Sequence, residues 1–423
     1  HHFYIHIPFC KQKCPYCKFA LTPVFDEFKK KRYIEYLKKE IKEYFQWWKK
    51  IYEDPETGSG WQKTIYFWGW TPSILTPTEI KEILEYFPFY RKTETEITLE
   101  SNPEDITEEY ISSILKLWIN RISIGVQTLN EKSLTEIHRS NPESIFAALN
   151  QIWVSLNKAL NDEQAMSLWG LGRETVWVRW KKESEERSAP SFSLPNSFGT
   201  FSTKSTEIGI KKYKNKNYSL NIDFILGLPY TKSGETLQAI KKLHKSFPNI
   251  THTSVYMLED ELYPKDWKVN SISENELKSE FLEIIEYFKS IGWIHYEFSN
   301  WAKPGYESVH NGAYWNHSNS RGFWLSSASY EDEKRWNNSS SFTWYYRGII
   351  ENEEILTDEQ IDIETMMFWL RTGGWDPEIQ TITSSQKIQK LIDAGLIEVI
   401  ENKIKPTKSW IFMIDHIMGE LLI

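Results

Sequence analysis

Short strand-like segments alternate along the chain with charged stretches that carry a helical repeat. Residues 3–7 read as a short strand with a loop behind it. Residues 31–48 set Ile34, Leu37, Ile41 and Tyr44 or Phe45 near three- to four-residue spacing, which predicts an amphipathic helix. Strands are then predicted at 64–67, 96–100, 121–126, 220–226 and 253–258. Helices alternate with them at 78–87, 106–117, 234–246 and 274–291. That alternation predicts an α/β fold with a parallel sheet and right-handed crossovers. Six or more such units form an open or closed barrel, with the chemistry at the C-terminal ends of the strands.

Two regions break the rhythm. Periodicity is poor over about 150–219, and 183–206 is rich in Ser, Pro, Lys and Glu, so an inserted loop or disordered segment is expected there. From about 356 the pattern turns helical, with helices at 361–370, 384–394 and about 410–422 and a hairpin at 396–405. This predicts a small α+β, winged-helix-like domain. It has no basic cluster, so packing or partner docking suits it better than DNA. The expected division is a core over 1–300, a linking segment over 301–355 and a C-terminal domain over 356–423.

Composition changes this picture in three places. The 423 residues are too many for one typical domain. A net charge of −8 argues against a nucleic-acid partner. No apolar run reaches membrane-spanning length and no signal peptide is visible. The opening His1-His2-Phe3-Tyr4 lacks an initiator Met and suggests a trimmed start. All 3 cysteines lie close together, which suits a metal centre in a reducing, cytoplasmic setting better than a disulfide framework.

The cysteines stand in Tyr4-Ile5-His6-Ile7-Pro8-Phe9-Cys10-Lys11-Gln12-Lys13-Cys14-Pro15-Tyr16-Cys17, a C-x3-C-x2-C spacing. Three thiolates on a four-iron cluster leave one iron open to a small molecule. Structural zinc would need a fourth ligand, for which His6 is the local candidate. Incidental clustering is the third reading.

The spacing, the preceding Tyr-x-His-Ile-Pro-Phe and the following Tyr-Cys-x-Phe resemble radical S-adenosylmethionine (SAM) enzymes of the oxygen-independent coproporphyrinogen oxidase group. The resemblance implies a partial (β/α)6-type barrel with a [4Fe-4S] cluster on Cys10, Cys14 and Cys17. SAM would chelate the open iron, and its reductive cleavage would give a 5′-deoxyadenosyl radical. Further segments look alike in the family's order. Phe67-Trp68-Gly69-Trp70-Thr71-Pro72-Ser73 resembles a Phe-Gly-Gly-Gly-Thr-Pro-Ser loop facing the SAM amino group. Thr98-Leu99-Glu100-Ser101-Asn102-Pro103 and Arg121-Ile122-Ser123-Ile124-Gly125-Val126-Gln127 resemble SAM-facing strands. Asn221-Ile222-Asp223 with Gly227-Leu228-Pro229 resembles the strand that holds the ribose. The implied SAM contacts are Tyr4, Gly69, Trp70, Thr71, Glu100, Gln127, Arg139 and Asp223. Taken singly, Glu100, Gln127 and Asp223 would equally suit strand ends or helix caps. His295-Tyr296-Glu297-Phe298-Ser299-Asn300 and His310-Asn311-Gly312-Ala313-Tyr314-Trp315 are also family-like. His310, Asn311 and Tyr314 form a candidate haem region, with a purely structural His310 as the rival reading.

Tryptophan is anomalous. There are 20 Trp against 19 Gly, whereas glycine ordinarily makes up about 7% of residues. Trp68 and Trp70 replace glycines of the SAM loop, where backbone must approach a ligand. Trp118, Trp267, Trp324, Trp369 and Trp410 also fall where the family favours glycine, and Trp315 where the family has Trp. These positions suggest one codon, UGA being the natural suspect, that is read as glycine in the source organism. Genuine tryptophans are the alternative.

Within the family, the oxidases carry a fourth cysteine two residues after the third, where this chain has Phe19, and an arm before the motif. The short start and the His-Asn-x-x-Tyr-Trp segment resemble the HemW branch. That resemblance implies a haem chaperone, with haem as cargo and respiratory haem proteins at the membrane surface as recipients. The oxidase, which decarboxylates coproporphyrinogen III, is the second reading. A non-catalytic partner-docking module is the third.

Overall fold

The computed structural model describes residues 1–17, 26–51, 63–92, 94–170, 218–258, 267, 272–372, 385–400, 403–407 and 411–422. The first half of the chain runs β1 (His2–Ile7), α1 (Glu27–Ile51), β2 (Thr64–Gly69), α2 (Pro77–Leu84), β3 (Glu96–Ser101), α3 (Glu108–Leu115), β4 (Arg121–Gln127), α4 (Glu131–Glu136) and α5 (Pro142–Gly170). Then follow β5 (Ser219–Leu226), α6 (Glu235–Ser246), β6 (Ile250–Met257), α7 (Glu274–Ser290), β7 (Ile294–Glu297), β8 (Asn300–Ala302) and α8 (Val309–Trp315). The chain continues through β9 (Ser320–Phe323), β10 (Ala328–Glu331), β11 (Lys334–Asn338), α9 (Phe342–Tyr345) and β12 (Ile350–Ile355). It closes with α10 (Asp358–Thr372), α11 (Ser385–Asp393), β13 (Ile397–Ile400), β14 (Lys403–Pro406) and α12 (Ile414–Leu422).

Strands β1 to β6 lie side by side in chain order, all parallel, at the centre of a 12-stranded sheet. The expected α/β core is thus present. Each strand alternates. Phe3, Ile5, Ile65, Phe67, Ile97, Leu99, Ile122, Ile124, Ile222 and Phe224 share one apolar core. The residues between them, Tyr4, Tyr66, Thr98, Glu100, Ser123, Asn221 and Asp223, occupy the opposite face. Burying each large apolar side chain contributes about 1.5–3 kcal/mol, so the apolar face fixes the register. The register in turn aligns the polar face, pairing Glu100 with Ser123 and Gly125 with Asp223.

Caps set several helix starts. Thr76 and Glu79 make a capping box before α2, and Ser273 and Glu276 one before α7. Two stretches differ from expectation. The poorly periodic stretch after 150 begins as helix, because α5 runs on to Gly170. The rest of that insertion, 171–217, lies outside the described residues. The linking segment 301–355 supplies sheet. Strand β9 pairs parallel with β1, and β10, β11 and β12 extend the edge antiparallel. Those strands are short, and three carry solvent-facing charge, which hid them from a periodicity reading.

At the C-terminal end, α10, α11, α12 and the β13–β14 hairpin enclose a second core of Met366, Leu370, Ile388, Leu391, Ile404, Ile417 and Leu421. Arg335 on β11 pairs with Glu354 and Glu364 at 2.7 and 2.5 Å, tying this unit to the sheet edge. Among the described residues no helix is long and apolar enough to cross a membrane.

Candidate functional site

The C-terminal ends of the central strands open into a cleft of about 470 Å3. Its floor begins where β1 and β2 end together. Gly69 has φ +119, and a Cβ there would meet the Ile7 carbonyl oxygen at 2.6 Å. Only glycine lets β2 pass that close, and the next amide, of Trp70, donates to the same oxygen at 2.9 Å. The following loop is fastened to its neighbours. Thr71 Oγ1 donates to Cys10 Sγ at 3.1 Å, and Asn102 Nδ2 donates to Thr71 Oγ1 at 3.1 Å. Ser73 and Lys11 both reach Asp105, at 2.7 and 2.5 Å, which ties the cysteine loop to the loop after β3.

Cys10, Cys14 and Cys17 all line this cleft. Among the described residues no three His, Cys, Asp or Glu side chains gather closely enough for a single ion. A four-iron cube spreads its thiolate ligands over its corners, so three cysteines around one cleft suit a cluster by donor type and by placement. His6, the fourth ligand that zinc would need, is buried, bonds Tyr4 Oη at 2.5 Å and does not line the cleft. Burial pushes the Cys14 thiol up, and Arg139 opposes that shift. The Arg139 guanidinium also donates to the Gly125 carbonyl at 2.8 Å.

Gly125 is where β4 bulges. The register slips between Gly125 and Gln127, and Gln127 takes φ 65. A Cβ at 125 would sit 2.8 Å from both Arg139 Nη2 and Gln127 Nε2. The bulge therefore turns Gln127 toward the cleft. Glu100, at the end of β3, accepts from Tyr66 Oη at 2.9 Å. Burial, with Asp223 nearby, holds it well above the usual carboxylate range. Burial raises Asp223 too, against hydrogen bonds from Ser123 and Asn221 at 2.5 and 2.8 Å. The cleft thus offers acceptors, one half-buried guanidinium and a soft sulfur corner, which suits a zwitterionic ligand carrying hydroxyls.

Of the residues implied as SAM contacts, Gly69, Trp70, Thr71, Glu100, Gln127, Arg139 and Asp223 line the cleft. Tyr4 does not; its ring lies against Trp68 and His6. Sequence reasoning missed Tyr16, Ser123, Tyr256, Met257 and Leu258, which also line it. The signal was available for Ser123, which alternates in phase with the polar face of β4. Met257 and Leu258 simply end β6, where any residue meets the cleft.

The haem region lies elsewhere. His310 is buried, beside the first residues of β1 and β2. Its Nδ1 pairs with Thr64 Oγ1 at 2.6 Å and its Nε2 with Tyr314 Oη at 3.0 Å. Burial holds its pKa well below the ordinary value, so the ring is neutral. With both nitrogens paired, it offers no ligand to an iron in this arrangement. The Asn311 backbone N–H donates to the hydroxyl of Ser308, which caps α8, and Tyr314 is half exposed.

Comparison with known proteins agrees with this geometry. Residues 4–152 match the model of the radical SAM superfamily. The chain is similar to the heme chaperone HemW of Lactococcus lactis, 26% identical over 416 residues, covering 95% of this chain and 89% of that protein. It is also 26% identical to the heme chaperone HemW of Buchnera aphidicola over 319 residues, 74% of this chain but only 65% of the relative. Its fold is like that of coproporphyrinogen III oxidase (HemN) from Escherichia coli, a radical SAM enzyme, with a TM-score of 0.68 at 17% identity. That match covers 99% of this chain and 89% of the other. The chain thus matches the radical SAM superfamily over residues 4–152, is similar to HemW proteins along most of its length and shares its fold with HemN.

Proposed function

We propose that this chain is a haem chaperone that holds a [4Fe-4S] cluster on Cys10, Cys14 and Cys17, binds SAM in the cleft and carries haem to respiratory haem proteins. The similarity to HemW proteins along most of the chain carries the choice. When bound, the cluster supplies one electron to SAM and so opens radical chemistry. The chain's own residues do the rest. Thr71 and Arg139 fix the cysteine loop, and Glu100 and Gln127 face the ligand's polar groups. Asp223, braced by Ser123 and Asn221, is the acceptor suited to a ribose.

Haem would not be held by the His310 imidazole as it stands, since both nitrogens are engaged. The test is anaerobic reconstitution followed by SAM, reductant and coproporphyrinogen III, with haem titrated in parallel. Haem binding without protoporphyrinogen IX is the expected result. Formation of protoporphyrinogen IX would make the chain an oxidase.

A further inference from the structure

We infer that Trp118 and Trp324, and with them Trp68 and Trp70, are glycine in the protein as its own cell makes it. One codon written here as tryptophan would be read there as glycine. The backbone carries the argument. Trp118 follows α3 with φ 71, and its amide closes the helix onto the Leu115 carbonyl at 3.2 Å. This left-handed position just past a helix is where glycine is the usual residue.

Trp324 is the stronger case. Its φ is 87, its side chain is 0% exposed, and its indole N–H is buried with no hydrogen-bond partner. The ring is wedged against Tyr33 and Tyr345, at centroid distances of 4.3 and 4.6 Å. The backbone cannot relax to a negative φ. The Trp324 amide donates to Glu40 at 2.9 Å, and its carbonyl accepts from Ser327 Oγ and Asn338 Nδ2 at 2.5 and 2.9 Å. Two residues earlier the chain is equally tight, because a Cβ on Gly322 would meet the Ala328 carbonyl at 2.3 Å.

Trp68 and Trp70 flank Gly69 on the cleft. The Trp70 indole N–H is likewise buried without a hydrogen-bond partner, and the Trp68 ring stands over Tyr4 and Tyr66. These two indoles take up space on the side where the cysteines face the cleft. This part of the inference rests on SAM occupying the cleft; the part on 118 and 324 does not.

Positive φ alone does not decide the matter, since Tyr230 and several polar residues share it. Composition adds a second, independent observation, 20 tryptophans beside 19 glycines. Other tryptophans behave as tryptophans should. Trp315 packs on Phe368, and Trp267 donates to Glu136 at 2.9 Å; Trp301 stacks on Phe288 at 5.0 Å without a positive φ, although its indole N–H is unpartnered too, so that feature alone does not mark a glycine position. Trp369 sits inside α10 against the second core, where glycine would weaken the helix. The structure gives no need for glycine at 267 or 369, and Trp410 lies outside the described residues.

The deciding experiment is peptide sequencing by mass spectrometry of the native protein from its source cells. Glycine at 118 and 324, with tryptophan at 315, is expected; tryptophan at 118 and 324 overturns the inference. A second measurement does not need the source. In the recombinant full chain, Trp118→Gly and Trp324→Gly are expected to raise the melting temperature. A drop of many degrees at 324, as when a well-packed tryptophan is deleted, overturns the inference. Trp68→Gly/Trp70→Gly is expected to increase SAM affinity at least tenfold in calorimetry. Native glycine at 68 and 70 without SAM binding would sink the SAM reading and leave the recoding standing.

Discussion

The two ends of the central strands are built differently. At the C-terminal end, three thiols, two half-buried carboxylates and a guanidinium converge on an open cleft, and part of their bonding capacity faces that space. At the N-terminal end, His310, Thr64, His2 and Tyr314 bond one another. Both ends are polar and both are at least partly buried, so burial alone does not mark a site. Unspent bonding capacity facing a cavity does, and satisfied pairs mark structure.

The largest effect that could break this contrast is on the cluster. Replacing Cys10, Cys14 or Cys17 with Ala should abolish the iron–sulfur absorbance after reconstitution, while His310→Ala leaves it intact. Loss of the cluster in both would remove the distinction. His310→Ala should instead destabilise the fold by about 2 kcal/mol, because it removes a buried ring and its two hydrogen bonds, leaving Thr64 with His2 alone; urea melts check this. Glu100→Gln keeps an acceptor for Tyr66 and should weaken SAM about tenfold, a cost of about 1.4 kcal/mol at the cleft alone. Calorimetry on the reconstituted protein reads it. Tyr4→Phe, outside the cleft, should leave SAM affinity unchanged and cost about 1 kcal/mol of stability through its bond to His6.

Acid sharpens the same contrast. Burial lowers His6 to about 4 and His244 to about 3, from 6.5. The unfolded chain binds these protons first, so their neutral state favours the fold fully above pH 6.5. That contribution is lost as pH falls from 6.5 toward 4 and then 3, by up to about 1.4 kcal/mol per pH unit for each ring. Stability melts across pH 7 to 4 should show the decline.

Much of this was legible in the sequence. The alternation of strand-like segments such as 96–100 and 121–126 with helical ones announced the parallel sheet, and the C-x3-C-x2-C spacing announced the donor set. What stayed hidden depended on distant neighbours. Strands β9, β10 and β11 have only four or five residues, and β9 is sheet because β1 offers it an edge. His310 stood as a candidate haem residue with a structural role as the rival, and nothing in the sequence put Thr64 beside it. The resemblance implied Tyr4 as a cleft residue, yet its ring lies against Trp68 and His6.

The most direct test of the account is electron–nuclear double resonance on the reduced, reconstituted native protein with SAM labelled at its amino nitrogen. Binding at an open iron held by Cys10, Cys14 and Cys17 predicts a nitrogen hyperfine coupling that vanishes in the Cys14→Ala variant. A cluster signal unchanged by added SAM, with no coupling, would contradict it.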